Sequence, residues 1–202
     1  LTLGIFAATN HNRVGDYGVM GFSQLGLAIP DFWFGILLII LFAVILHWLP
    51  SGGFPGWDDG IWHGVRSLLL PILTQALSLT AIMTRVTRSS VLEVAREDYV
   101  RTARAKGLSR RAALWGHVLR NALIPVLTIG GLLVATVVTG TLVIENVFAL
   151  PGVGKLIFDA ISNRDLMVVK NVVLLFAAIV VAVNFVVDIL YAMVDPRIRV
   201  HT

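Results

Sequence analysis

REDYVRTARAKGLSRRAALWGHVLRNALIP, residues 96–125, separates two apolar runs that are each long enough to cross a bilayer. Arg96, Arg101, Arg104, Lys106, Arg110 and Arg111 crowd its first half. On insertion scales a cation at bilayer depth costs about 2.5–3.5 kcal/mol, so six together cost on the order of 15–20 kcal/mol. The stretch therefore lies outside the lipid as a loop, and the positive-inside rule makes it cytoplasmic. Local signals give the loop a shape. Asp98 is placed to cap a helix N-terminus, and Glu97 and Asp98 favour its positive end. Residues 99–106 contain no Gly or Pro and carry their cations toward the C-terminal end. Gly107 suits the position just past the last turn, and Ser109 is placed to cap a second helix starting at Arg110. The expected form is a short helix, a sharp glycine turn and a new helix rising into the membrane.

The rest of the chain agrees with a membrane setting. Of its 202 residues 57% are hydrophobic and only 14% charged, and the mean hydropathy is +0.85. Several apolar runs approach or exceed the roughly 20 residues that span a bilayer. They are continuous rather than alternating, which excludes a β-barrel and makes the fold class all-α, a polytopic helical membrane protein. The net charge is +4, but nine cations fall between Arg85 and Arg120: Arg85, Arg88, Arg96, Arg101, Arg104, Lys106, Arg110, Arg111 and Arg120. In such a chain this cluster reads as topology and contact with membrane lipid phosphates, with no nucleic acid partner. With no cysteine there is no disulfide framework, thiol chemistry or Cys-based metal site.

We expect a single transmembrane domain over 1–202, with a partial span at 1–9 and complete spans near 21–49, 66–88, 121–145 and 168–194. Polar residues 9–18 read as a short cytoplasmic connector. Residues 50–63, with Gly, Pro, Trp57, Trp62 and the solvated Asp58 and Asp59, mark the outer interface. Residues 147–170 read as a second external loop. Its FALPGVGK run fails as a phosphate loop, since Ala149 and Leu156 stand where Gly and Ser/Thr are required, so Pro151 to Gly154 is read as a tight turn. Arg13, the 96–111 cluster, Arg197 and Arg199 fall on one side of the membrane. Pro71 and Pro125 should bend their spans, and Gly130, Gly131 and Gly140 allow close helix approach.

A second set of residues is polar within the spans. Asp31 follows Pro30 near one end of the first complete span, where it either snorkels or caps a helix, or lines a pathway. Thr74, Gln75, Ser78 and Thr84 serve either contacts between helices or a water-facing surface. Thr136, Thr139 and Thr141 are placed to bond back to their own helix. Asn184 and Asp188 share one helix face, and Asp188 lies seven residues before Asp195 of the DPRIR tail that ends the helix. Asp31, Gln75, Ser78, Thr136, Thr139 and Asp188 are the candidate pathway-lining residues.

DYVRTARAKGLS followed by HVLRNALIPV resembles the cytoplasmic EAA loop of ABC-transporter permeases, and most closely that of the dipeptide/oligopeptide family of binding-protein-dependent importers. Gly107, Ala103 and Leu119 occupy the motif's Gly, second Ala and Leu places. Arg101, Thr102, His117 and Arg120 replace its Glu, first Ala, Ile and Pro, as in the peptide-permease version. The resemblance covers nearly the whole chain and implies a type I ABC importer transmembrane domain, truncated at its N-terminus relative to the family. It also implies a bacterial or archaeal plasma membrane location. The implied partners are a second permease subunit, two cytoplasmic ABC ATPase subunits and an extracytoplasmic solute-binding protein. The chain itself would need no cofactor, ATP and magnesium belonging to the ATPases.

In that family the 96–119 loop forms a coupling helix that docks into a groove on the ATPase. The implied coupling residues are Asp98, Tyr99, Val100, Arg101, Ala103, Arg104, Lys106, Gly107 and Leu108, with Tyr99, Val100, Ala103 and Leu108 as direct contacts. The implied solute is a dipeptide or oligopeptide, with nickel or glutathione as alternatives carried by relatives. From other classes, a channel or secondary transporter and a purely structural membrane subunit remain as readings. No nucleophile–base pair, metal-ligand set or nucleotide loop stands out, and His47, His63 and His117 are scattered, so the chain is expected to be non-catalytic.

Overall fold

A computed structural model describes the backbone of residues 1–194 and every side chain among them except those of 135, 138, 139, 188 and 190–194. The described residues form helices and turns, with no strand among them. In chain order the helices are α1 (Thr2–Thr9), α2 (Val14–Ala28), α3 (Asp31–Leu38), α4 (Ile61–Val94), α5 (Asp98–Ala105), α6 (Arg110–Ala113), α7 (Leu119–Val147), α8 (Val153–Ser162) and α9 (Leu166–Val194). A π-helical segment, Ile39–Ile45, prolongs α3, and a second, Leu114–Val118, joins α6 to α7. Three stretches among the described residues are long and apolar enough to cross a membrane: Ile61–Val94, Arg110–Val134 and Leu166–Val187. A fourth arises if α2 and the α3 region are counted as one broken span. The all-helical, multi-span class expected from composition is the class observed.

Two expectations need correction and one gains detail. The span expected over 21–49, with Pro30 and Asp31 interrupting its entry side, is divided there into two helices: α2 ends at Ala28 and α3 begins at Asp31. Proline is the cause: it has no N–H to give, and it drives the preceding residue out of the helical region. Pro30 itself sits at φ −61°, ψ 135°, the extended geometry of a helix start. Next, the polar connector is shorter than 9–18, since α2 is helical from Val14. Finally, the expected external loop over 147–170 contains α8, whose ten residues begin right after the Pro151–Gly152 turn.

The chain packs as two compact units. One comprises Leu1–Leu27, Thr80–Leu133 and the described residues from Asn184 onward; the other comprises Ala28–Leu79 and Val134–Val183. In the first, Ala8, Val91, Val100, Val118, Leu119 and Ala122 form a buried apolar cluster contributed by α1, α4, α5 and the start of α7. In the second, Leu38, Leu70, Ile144 and Phe148 form the cluster, drawn from α3, α4 and α7. The buried face of α4 is unusually polar for a spanning helix: Ser67, Thr74, Thr84, Thr87 and Ser90 are all buried. Three of their hydroxyls bond to carbonyls of the same helix, Ser67 to Gly64, Thr74 to Leu70 and Thr87 to Met83, at 2.8, 2.8 and 2.6 Å. Such back-bonding satisfies the hydroxyl without water, so Thr74 serves helix packing rather than a wet surface.

The start of α8 is clasped to the end of α7. The Glu145 carboxylate accepts a hydrogen bond from the Gly154 amide at 2.6 Å, and the Leu150 amide bonds to the Glu145 carbonyl at 2.8 Å. A Cβ on Gly152 would lie 2.1 Å from Glu145 Oε2, and one on Gly154 would lie 2.6 Å from the Leu142 Cα. Gly154 therefore lets backbone press against the backbone of α7, and Gly152 makes room for the Glu145 carboxylate. We expect Gly154→Ala to destabilise the protein by about 1–3 kcal/mol through overpacking. Thermal unfolding of the purified protein in detergent measures this, with Gly18→Ala, where nothing lies within 4 Å, as the neutral control.

Candidate functional site

The charged segment folds as a short helix locked to the membrane body. Glu97, not Asp98, occupies the N-cap position of α5, at φ −63°, ψ 145°, and makes no side-chain cap bond. The expected Asp98 cap is thus corrected: Asp98 is the first helical residue, and its carboxylate pairs with Arg101 at 3.3 Å on the open surface. Both partners are exposed there, so the pair contributes little. At the other end Gly107 has φ +96°, in the left-handed region that only glycine enters without penalty. The Leu108 amide reaches back to the Ala103 carbonyl at 3.3 Å. Ser109 then caps α6, its Oγ accepting from the Ala112 amide at 3.2 Å. The chain reverses within four residues, 106–109.

Two side chains fasten α5 from below. Val100 is 3% exposed and packs with Ala8, Val91, Val118, Leu119 and Ala122. The Tyr99 hydroxyl accepts a hydrogen bond from Asn121 Nδ2 at 2.9 Å, which ties α5 to the first turn of α7. Val100 was expected among the direct contacts to a partner, and its burial contradicts that: it is spent on the protein's own core. Tyr99, at 43% exposed, Arg101, Arg104, Lys106 and Leu108 remain on the outer face, with Ala103 half-buried.

Beneath the same region lies a buried ion pair that sequence reasoning did not find. Arg88 donates to Asp16 through Nε to Oδ1 at 2.6 Å and Nη2 to Oδ2 at 2.7 Å. The carboxylate also accepts the Asn12 amide at 3.0 Å and lies 3.2 Å from His11 Nδ1. The side chains of Asp16 and Arg88 are only 2% and 21% exposed. A bidentate pair of this kind joins the first turn of α2 to the last turns of α4. The partners are 72 residues apart, so no local spacing announces them. The one available signal was that each charge abuts an apolar run.

The candidate pathway residues part company. The Ser78 hydroxyl donates to the Asp31 carboxylate. Ser78 stands midway along α4 between Ile61 and Val94. Asp31 is therefore beside the middle of a spanning helix, not near a span end as expected; the break at Pro30 placed it there. Gln75 lies one turn before Ser78, beside Gly140, and its Oε1 is buried with no hydrogen-bond partner among the described residues. Thr136 is exposed. The side chains of Thr139 and Asp188, and the tail with Arg197 and Arg199, lie outside the described residues. Among the described residues no three His, Asp or Glu side chains gather as metal ligands do.

Comparison with known proteins agrees along almost the whole chain. The family described as binding-protein-dependent transport system inner membrane component matches residues 1–200. The chain is 45% identical, over 98% of its length, to the di/tripeptide transport system permease protein DppB of Pseudomonas aeruginosa (strain UCBPP-PA14), covering 65% of that protein. It is 42% identical to the oligopeptide transport system permease protein AppB of Bacillus subtilis (strain 168) and 40% identical to OppB, of the same description, from Escherichia coli (strain K12). In each case 98% of the chain is aligned, covering 64% and 63% of those relatives. The chain thus spans a little under two thirds of the length of the curated relatives it matches.

Truncating one member of the buried ion pair leaves the other uncompensated, which typically costs about 3–5 kcal/mol. Arg88→Ala and Asp16→Ala should each lower stability by about that much. The double replacement Asp16→Leu with Arg88→Met should recover most of it, because no charge is then stranded. Thermal unfolding of the three variants in detergent makes the comparison.

Proposed function

Because the chain belongs to the family of inner membrane components of binding-protein-dependent transport systems, we propose that it is a permease subunit of an ATP-driven peptide importer that receives the motor's movement through α5. The observation that carries this reading is the way α5 is held. One face is fixed to the protein's own core by Val100 and by the Tyr99–Asn121 bond, while Tyr99, Arg101, Arg104, Lys106 and Leu108 are presented outside. The names of the relatives, di/tripeptide and oligopeptide permeases, favour a peptide solute over nickel or glutathione. The membrane is the plasma membrane of a bacterium or archaeon, with α5 on the cytoplasmic side.

On this reading two ATPase subunits close on nucleotide, and each carries a docked α5 with it. A second permease subunit completes the pathway, and a solute-binding protein delivers peptide from outside. Hydrolysis takes place in the ATPases, and this chain contributes motion rather than chemistry. Fully burying a valine is worth about 1.5–3 kcal/mol, and a hydrogen bond about 1 kcal/mol, so α5 does not slide freely over the body. Gly107 and the Ser109 cap make the joint to α6 short and stiff. Displacement of α5 is therefore delivered to α7. The exposed cations suit an acidic groove, and the small Ala103 allows close approach.

The test uses the full-length permeases assembled with their ATPases and binding protein in proteoliposomes. Ala103→Asp and Gly107→Trp should leave insertion and assembly intact, while ATP hydrolysis proceeds and peptide uptake falls to background. Uptake at the unmodified rate in both variants would rule out coupling through α5.

A further inference from the structure

We propose that Asp31 is the point within the membrane at which the protein grips a positively charged group of its solute, the terminal ammonium of a peptide. This rests on the peptide-permease reading above and extends it to a named side chain. The first observation is depth. Ser78, which donates to Asp31, lies in the stretch 67–84 of α4, which contains no charged residue. A carboxylate held there sits at the level where an ionised group is most costly, and groups at that level pair with a counter-charge or face water.

The second observation is that Asp31 has no counter-charge among the described residues. The ion pairs among the described residues engage Asp16 and Asp98, with Arg88, His11 and Arg101 as their partners, and none engages Asp31. The contrast with Asp16 is instructive. Asp16 meets a guanidinium through both oxygens and takes a backbone amide besides. Asp31 has a neutral hydroxyl and is partly open. A hydroxyl orients a carboxylate but does not neutralise it.

The third observation is a second idle acceptor close by. Gln75 precedes Ser78 by three residues, so the two side chains neighbour each other on α4. Gln75 Oε1 is buried with no hydrogen-bond partner among the described residues. Asp31 Oδ and Gln75 Oε1 both accept hydrogen bonds. An ammonium carries three donors and no acceptor, so it complements both. An anionic or purely apolar solute group would give the carboxylate no counter-charge and the amide oxygen no donor. The carboxylate at the helix break thus serves as a transient counter-ion, used while a peptide passes.

The assembled importer, with full-length permeases, ATPases and binding protein in proteoliposomes, tests this with tri-alanine. Replacing a charged acceptor by a neutral one typically loses about tenfold, so Asp31→Asn should lower uptake by about that factor, with Asp31→Glu keeping most of it. Ser78→Ala keeps the carboxylate and should keep most of the uptake. Asp31→Cys introduces the only cysteine in this chain. With the partner subunits freed of cysteine, a thiosulfonate reagent bearing trimethylammonium should label it, and tri-alanine delivered by the binding protein should slow the labelling. Unchanged uptake in Asp31→Asn, or no labelling in any nucleotide state, overturns the proposal. An equal loss in Asp31→Asn, Asp31→Glu and Ser78→Ala assigns Asp31 to packing and overturns it as well. If the unmodified complex takes up no tri-alanine, the peptide assignment fails and the ammonium contact falls with it; labelling of Asp31→Cys then still reports whether a water-filled path reaches that depth.

Discussion

A guanidinium or carboxylate cannot be left alone in hydrocarbon, and the placement of charge in this protein follows from that constraint. Six cations between residues 96 and 111 force the chain out of the lipid between two long helices. Once outside, the segment still has to be held. Val100 buried among α1, α4 and α7, and Tyr99 bonded to Asn121, hold it. Arg88 is largely withdrawn from the surface, and it is accommodated by Asp16 through two short hydrogen bonds. One rule thus governs both the exposed charges of α5 and the buried pair beneath them.

Asp16 and Asp31 show how context separates structural from functional charge. Asp16 is saturated: a guanidinium, a backbone amide and an imidazole surround it, leaving no capacity for a ligand. Asp31 sits at a helix break beside a neutral donor, the Ser78 hydroxyl. In sequence both read as an acid at the edge of an apolar run. Their difference is created by Arg88, which reaches one and not the other. Family membership, not the depth of Asp31, separates a binding-protein-dependent permease from a secondary transporter.

Local signals were the legible part. Gly107 at positive φ, Ser109 as a cap and the four-residue reversal between α5 and α6 were readable because each depends on neighbours within a few positions. Helical class and span composition were readable because bilayer thickness sets a length that any apolar run must meet. Asp98 illustrates the resolution of such reading: it and Glu97 are both acids at a helix start, and only backbone geometry decides that Glu97 takes the cap position. The Arg88–Asp16 pair, the inward face of Val100 and the depth of Asp31 were not legible. Each depends on which helices become neighbours, and a run of apolar residues with similar hydropathy on every face does not encode that.

The glycine turn after α7 has a further implication. Gly152 and Gly154 let the Glu145 carboxylate seize the first turn of α8, so the connector on that side is not a slack tether. Any partner that meets α8 therefore finds its first turn already ordered, and little conformational entropy remains to be lost on that side.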